Sequence, residues 1–273
     1  MVRTILITGC SSGIGRDAAL TMRDRGWRVF AACRRATDCD GLHALGLESP
    51  RIDYEDPQSI EAGLGEVLES TGGRLDALFN NGAYAIPGLV EDLPTDALRT
   101  IFEANVFGWH DLTRRVIPVM RRAGSGRIVQ NSSVLGFAAA PWRGAYNATK
   151  FAVEGLTDTL RMELRGTGID AILIEPGPIT SRFRANARAQ FERWIDWRGA
   201  ARRTEYEAMM GRLYEDRTAR FELPPAAVTR ALIHAVEARH PRARYRVTVP
   251  TTLAMILKRA APTRMVDRIV SNS

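Results

Sequence analysis

Short apolar runs and longer amphipathic stretches alternate along the chain almost from its first residue. The runs Thr4–Thr8, Arg28–Cys33, Arg51–Asp53, Ala77–Asn80, Arg127–Asn131, Ala171–Ile174 and Tyr245–Val249 place apolar, often β-branched residues at successive positions. Consecutive apolar positions mean burial on both faces of a strand. Between these runs, apolar residues recur at three- and four-residue spacing over 14–25, 57–70, 95–122, 146–166 and 225–238, as on one face of a helix. Two segments break the alternation. Residues 178–223 form a long insertion rich in arginine and aromatics, and 251–273 read as a helical tail broken at Pro262.

Strands apolar on both faces and separated by helices predict an α/β fold, a single doubly wound parallel sheet with helices on both faces, Rossmann-like in connectivity. The insertion becomes a helical lid inside a domain spanning 1–250, and 251–273 is set apart as a tail.

Composition narrows the picture. With 45% hydrophobic and 25% charged residues the chain carries enough apolar surface to fold, which excludes a disordered protein. The first apolar run is too short for a signal peptide, and Val247 to Leu257 is too short to cross a bilayer, so a cytoplasmic protein is expected. Cys10, Cys33 and Cys39 lack disulfide or metal-site spacing, and the four histidines are scattered, so no metal is expected. The net charge of +7 is spread without a basic block or interleaved aromatics, which argues against nucleic acid. Only Lys150 and Lys258 among the 38 basic residues are lysine. A lysine kept in so arginine-rich a chain suggests a need for a compact ammonium with an adjustable pKa.

The candidate chemistry begins at Gly9-Cys10-Ser11-Ser12-Gly13-Ile14-Gly15, between the first strand and first helix. Glycines there serve a tight turn and close backbone approach, and the helix start offers free amides to a pyrophosphate; a purely structural turn is the other reading. The second strand ends in Arg34-Arg35, and no acid occurs between Asp24 and Asp38. An acid there would bind the ribose hydroxyls of NAD, whereas a guanidinium fits the 2′-phosphate of NADP, so NADP(H) is the expected cofactor unless these arginines only solvate a loop. Asp53, closing the third strand, is placed to accept from the adenine amino group, and Asn81-Gly82 to bring bare backbone to the ribose.

Tyr146 and Lys150 stand one turn apart on a predicted helix, and Ser133 ends the fifth strand. Reducing a carbonyl by hydride needs a proton donor at the oxygen. A phenol of ordinary pKa near 10 becomes a usable base for the reverse step only if it is lowered by about 3 units, roughly 4 kcal/mol. A neighbouring ammonium and the positive nicotinamide would together supply that in a dry site. Ser133 would hold the substrate oxygen, and Lys150 would also bond the nicotinamide ribose.

These residues carry a resemblance. Residues 1–250 resemble the short-chain dehydrogenase/reductase family through the TGxxxGIG turn at 8–15, Asn80-Asn81-Gly82-Ala83, Asn105, the Ser133/Tyr146/Lys150 set and Pro176-Gly177-Pro178-Ile179-Thr180. The resemblance implies a catalytic tetrad of Asn105, Ser133, Tyr146 and Lys150, with Asn105 holding a proton-relay water. It implies cofactor contacts from Gly9, Ser11, Ser12, Gly13, Ile14 and Gly15, with Pro176, Gly177, Ile179 and Thr180 at the nicotinamide carboxamide. It also implies a lid at 178–223 and a homodimer through the Tyr146 helix and the long helix before it. One departure stands: Asn-Asn-Gly-Ala replaces the family's usual Asn-Asn-Ala-Gly. Within the family the chain looks similar to bacterial NADP-dependent aldehyde reductases near the hydroxysteroid and retinol dehydrogenase branch. That implies reduction of an apolar aldehyde or ketone, with oxidation of the alcohol by a steroid- or retinol-type dehydrogenase, or a non-catalytic NADP sensor, as alternatives.

The lid supplies Phe183, Phe191, Trp194, Trp197, Tyr206, Met209, Met210, Tyr214 and Phe221, either to line an apolar pocket or to pack the lid on the body. The tail mixes apolar positions with Lys258, Arg259, Arg264 and Arg268. It is expected to pack on its own body or a partner subunit, or to lie on a membrane surface.

Overall fold

The computed structural model describes residues 2–214 and 221–271, so residues 215–220 of the expected lid and the last two of the tail lie outside the described residues. The first half of the chain runs β1 (Thr4–Thr8), α1 (Gly13–Asp24), β2 (Arg28–Ala32), α2 (Ala36–His43), α3 (Pro57–Ser70) and β3 (Ala77–Asn80). Then come α4 (Thr95–Phe102), a π-helical turn (Glu103–Phe107), α5 (Gly108–Ala123), β4 (Gly126–Asn131), α6 (Gly144–Glu163) and β5 (Ile169–Glu175). The lid holds α7 (Phe183–Trp194) and α8 (Arg203–Tyr214), followed by α9 (Ala226–Glu237), β6 (Arg244–Arg246), α10 (Val249–Ala260) and α11 (Thr263–Ser271).

All six strands pair in parallel, in the order β2-β1-β3-β4-β5-β6. Their period-two alternation divides the core. In β1, Ile5 and Ile7 join the α1, α2 and α9 side with Ala18, Leu42 and Leu232, while Leu6 faces Ile60, Trp109 and Val116 from α3 and α5. The expected doubly wound sheet is therefore present. The order in which strands are added reverses between β1 and β3, and the crevice at the carboxyl ends of these strands is where such sheets take ligands.

Three expectations are corrected. Arg51–Asp53 forms no strand; a single parallel bridge joins Arg51 to Cys33. Asp53 consequently closes a loop rather than a strand, with its carboxylate accepting from the Glu55 amide at 3.2 Å and 4.0 Å from Arg51. The stretch 95–122 is not one helix, because the π turn at Glu103–Phe107 separates α4 from α5. The last expected strand is short, Arg244–Arg246, because Pro250 opens α10 immediately after it.

The lid is pinned at its base. Thr180 donates to the Leu223 carbonyl at 3.0 Å and Leu223 to that of Pro178 at 3.1 Å, so the insertion leaves and rejoins the body at one place. Its underside forms a third apolar cluster, in which Phe191, Ile195 and Tyr206 pack with Ile86, Leu89, Ile101 and Tyr146.

Candidate active site

At the phosphate end, the Gly9–Gly15 turn is held by steric necessity. Gly9 has φ +68°, and a Cβ there would lie 2.6 Å from the Gly82 Cα; one on Gly15 would lie 2.3 Å from the Gly9 carbonyl oxygen. Thr8 and Asn81 lock the turn to the end of β3. The Thr8 hydroxyl accepts from the Asn81 and Gly82 amides at 2.9 and 3.2 Å, and the Asn81 side chain donates to the Thr8 carbonyl at 3.0 Å. Ser12 opens α1 without a side-chain cap, and no acid stands in the first turn. The leading amides of α1 thus remain available to an anion.

Arg34 and Arg35 are both exposed beyond β2. Arg35 is forked onto Asp38 at 2.8 and 3.1 Å. Arg34 makes no ion pair among the described residues, and its positive charge acts on Glu55. Uncapped amides on an α1 whose first turn holds no acid, with the Arg34 guanidinium beside them and Arg35 shared with Asp38, make a donor set that fits a phosphorylated dinucleotide.

At the chemical end, α6 delivers Tyr146 and Lys150 to the interior, with 8% and 1% exposure. The Lys150 ammonium donates to the Asn131 carbonyl at 2.7 Å, lies 4.2 Å from the Trp109 ring centroid and 5.5 Å from that of Tyr146. Ser133 stands near enough to the Tyr146 phenol to favour its ionised form and accepts from the Leu135 amide at 3.1 Å. Phe183 of the lid meets the Tyr146 ring edge-on at 5.3 Å. The set expected from sequence therefore converges in one lid-covered cleft.

The electrostatics run against the simplest expectation. Burial, opposed by nearby Ser133, pushes the Tyr146 phenol up rather than down. Burial also pulls Lys150 down to about 7, opposed by the negative charge of Glu154 one turn further along α6. Both groups are driven toward their neutral forms by the same dry surroundings.

Asn105 sits in the π turn, fully buried, but both ends of its side chain are committed. Its oxygen accepts from the Tyr84 amide at 3.1 Å, and its nitrogen donates to the Tyr84 carbonyl at 2.8 Å and to Thr149 at 3.3 Å. Its side-chain amide thus ties the π turn to Tyr84 and Thr149. The Pro176 carbonyl accepts from the Val134 amide at 2.8 Å, tying the Pro176-Gly177 turn to the Ser133 loop. Gly177 packs where a Cβ would lie 2.2 Å from the Thr248 hydroxyl. Ile179 is half-buried and Thr180 exposed at the lid base.

Sequence reasoning missed Trp109, whose indole donates to the Gly82 carbonyl at 2.8 Å while its face carries Lys150. Its spacing of four from Asn105 was the available signal. It also missed the Arg244 guanidinium, which joins Glu154, Glu175 and Asp158 behind the lysine; nothing local in the sequence announces that cluster.

A family model described as short chain dehydrogenase matches residues 3–192. The chain is 39% identical over 271 residues to the Escherichia coli K12 protein named uncharacterized oxidoreductase YbbO, covering 99% of this chain and 94% of that one. It is 28% identical over 278 residues to an NADPH-dependent 3-dehydrocapnine reductase of Ornithobacterium rhinotracheale, covering 98% and 96%. The crystal structure of a short-chain dehydrogenase from Streptomyces avermitilis superposes with a TM-score of 0.77 at 28% identity, covering 93% of this chain and 91% of that one. Likeness that runs end to end and takes in the whole sheet makes this chain a member of the short-chain dehydrogenase family of oxidoreductases.

Proposed function

We propose that the protein is an NADP(H)-dependent reductase of apolar aldehydes or ketones, reversible toward the alcohol. The observation that carries this reading is the convergence of Ser133, Tyr146 and Lys150 beneath an aromatic lid. Gly9, Ser11, Ser12, Gly13, Ile14 and Gly15 would hold the pyrophosphate. Arg34 and Arg35 would take the 2′-phosphate, and Asp53, Asn81 and Gly82 the adenosine half. Lys150, Pro176, Gly177, Ile179 and Thr180 would hold the nicotinamide half. NADPH supplies the hydride when bound.

The chain's own residues do the rest. Ser133 and Tyr146 hold the carbonyl oxygen between them, and Tyr146 gives it a proton as negative charge develops there. A protonated Lys150 then favours the phenolate left behind, and Asn105 would hold the water through which that proton is replaced. Phe183 on the Tyr146 ring, and Trp142 in the loop before α6, which meets Tyr206 of the lid edge-on at 5.0 Å, would exclude water with the lid cluster. Because these side chains are apolar, a small charged substrate is disfavoured. Exposed Phe151 and Leu156 on the outward side of α6 support a homodimer through α5 and α6.

The test is NADPH oxidation with a panel of medium-chain and aromatic aldehydes. Tyr146→Phe is expected to abolish turnover while leaving NADPH binding intact. Near-full rates in that variant remove Tyr146 as the proton donor. Tight NADPH binding by the wild type with no turnover on any carbonyl supports the sensor alternative instead.

A further inference from the structure

Each of the last two helices presents part of its apolar surface to solvent. Along α10, Val249, Leu253, Ile256 and Ala260 fall at i, i+4, i+7 and i+11, a single stripe of a helix. A helix packed on a core turns such a stripe inward. Here Val249 is 61%, Leu253 60% and Ile256 51% exposed, and Ala260 is exposed as well. The opposite side holds α10 to the body, through Thr251 and the half-buried Ala254, Met255 and Leu257. Thr251 is buried and hydrogen-bonded to Thr248 at 2.9 Å, and the Lys258 ammonium lies 4.7 Å from the Phe151 ring centroid on α6. On α11, Val266 and Val270 are half-buried, while Met265 and Ile269, four apart, are exposed.

Charge completes the pattern. Arg259, Arg264 and Arg268 are exposed and make no ion pair among the described residues. Asp267 is the only acid on either helix. Elsewhere many arginines are forked onto carboxylates, as Arg25 is on Glu237 and Arg28 on Glu48. An apolar stripe rimmed by uncompensated guanidinia fits an anionic apolar boundary. A second copy of the same surface would bring three arginines against three.

We propose that α10 and α11 form a docking surface for an anionic phospholipid bilayer. Leu253, Ile256, Met265 and Ile269 enter the boundary between headgroups and acyl chains, and Arg259, Arg264 and Arg268 pair with lipid phosphates. The placement has a functional consequence. α10 leaves the carboxyl end of β6 and packs on the turn Val134–Gly136 that follows Ser133, so docking brings the cleft's own edge of the sheet to the layer where apolar carbonyl compounds partition.

Cosedimentation of the full chain with vesicles tests this. With phosphatidylcholine vesicles containing about 30% phosphatidylglycerol the protein is expected to sediment, and the partition coefficient is expected to fall at least about tenfold at high salt or without the anionic lipid. Reversing Arg259, Arg264 and Arg268 to glutamate lowers it on the order of 100-fold. The pair Leu253→Asp and Ile256→Asp abolishes it, with circular dichroism, thermal midpoint and reduction of a short soluble aldehyde unchanged. Failure to bind the anionic vesicles, or equal binding to pure phosphatidylcholine, overturns the proposal. So does a wild type that ignores vesicles but falls from dimer to monomer on Leu253→Asp and Ile256→Asp, which assigns the stripe to a second copy.

Discussion

Lys150 donates to the main-chain carbonyl of Asn131 at 2.7 Å, so the ammonium is fixed by the end of β4 while its aliphatic stem comes from α6. The anchor sets where the charge sits: above the Trp109 ring and 5.5 Å from the Tyr146 centroid. A cation held this way favours a phenolate without itself competing for the substrate oxygen. The same burial makes that cation costly, and this cost is measurable.

With Lys150 pulled to about 7 from an ordinary 10.5, the unfolded chain carries a proton on this residue between those values that the folded chain does not. Stability rises with pH wherever the unfolded state binds more protons. Lys150 therefore contributes a rise of up to about 1.4 kcal/mol per pH unit above pH 7 and nothing below it. The clean window closes near the ordinary thiol value of 9.0, because buried Cys10 and Cys33 keep their protons in the fold and favour unfolding at higher pH. Denaturant unfolding at several values between pH 7 and 9, without added cofactor, should show this slope in the wild type and a flatter one in Lys150→Met. Equal slopes would mean the lysine is not dehydrated.

Arg34 and Arg35 are neighbours with different commitments. Because Arg35 is already paired with Asp38, Arg34 is expected to carry most of the 2′-phosphate recognition. Arg34→Ala should raise the KM for NADPH about 10- to 100-fold, in line with roughly 1.5–3 kcal/mol for a charge-assisted bond, and leave that for NADH nearly unchanged. Arg35→Ala should change it less than about fivefold. Equal sensitivity of NADH and NADPH to Arg34→Ala would place the phosphate elsewhere.

What could be read in advance follows a physical division. β1 and β2 were legible because both of their faces are buried, leaving an unbroken apolar run; Arg51–Asp53 is too short to separate one bridge from a strand. α2 went unseen because only Cys39 and Leu42 of its residues are buried, leaving too narrow an apolar face. The π turn around Asn105 leaves the apolar face running across it, so periodicity over 95–122 could not reveal it. Ser133, Tyr146 and Lys150 were legible because helix spacing and a strand end are local facts. The raised phenol and lowered ammonium were not, since dehydration is a property of the assembled cleft. The tail's apolar positions were visible, but which way they point depends on Thr251 and Lys258 holding the opposite side.

Two glycines separate close approach from helix propensity. A Cβ on Gly15 would lie 2.3 Å from the Gly9 carbonyl oxygen and 2.8 Å from the Asn81 amide nitrogen, whereas one on Gly65 of α3 meets nothing within 4 Å. Gly15→Ala should cost about 2–4 kcal/mol or prevent NADPH binding outright, since backbone must move. Gly65→Ala should stabilise by about 0.5–1 kcal/mol. Thermal midpoints with and without NADPH check both, and a well-behaved Gly15→Ala that still binds NADPH tightly would contradict the packing described for the turn.

Arg244 is the one cation joining Glu154, Glu175 and Asp158, and the Glu175 side chain is 1% exposed. Asp158 keeps Arg161 and Glu175 keeps Arg246 at 3.4 Å, so Arg244→Met chiefly strands the buried Glu154 carboxylate and should destabilise by about 3 kcal/mol at pH 7. The pH dependence has a definite sign. Burial already raises the Glu154 carboxyl, and Arg244 opposes that rise; without the guanidinium the carboxylates protonate more readily, so the penalty shrinks as pH falls from 7 toward 5. Adding Glu154→Gln to Arg244→Met should recover part of the loss at pH 7 by removing the stranded charge. A penalty that stays constant with pH, and is unmoved by Glu154→Gln, would mean that Arg244 acts through packing of its stem rather than through its charge.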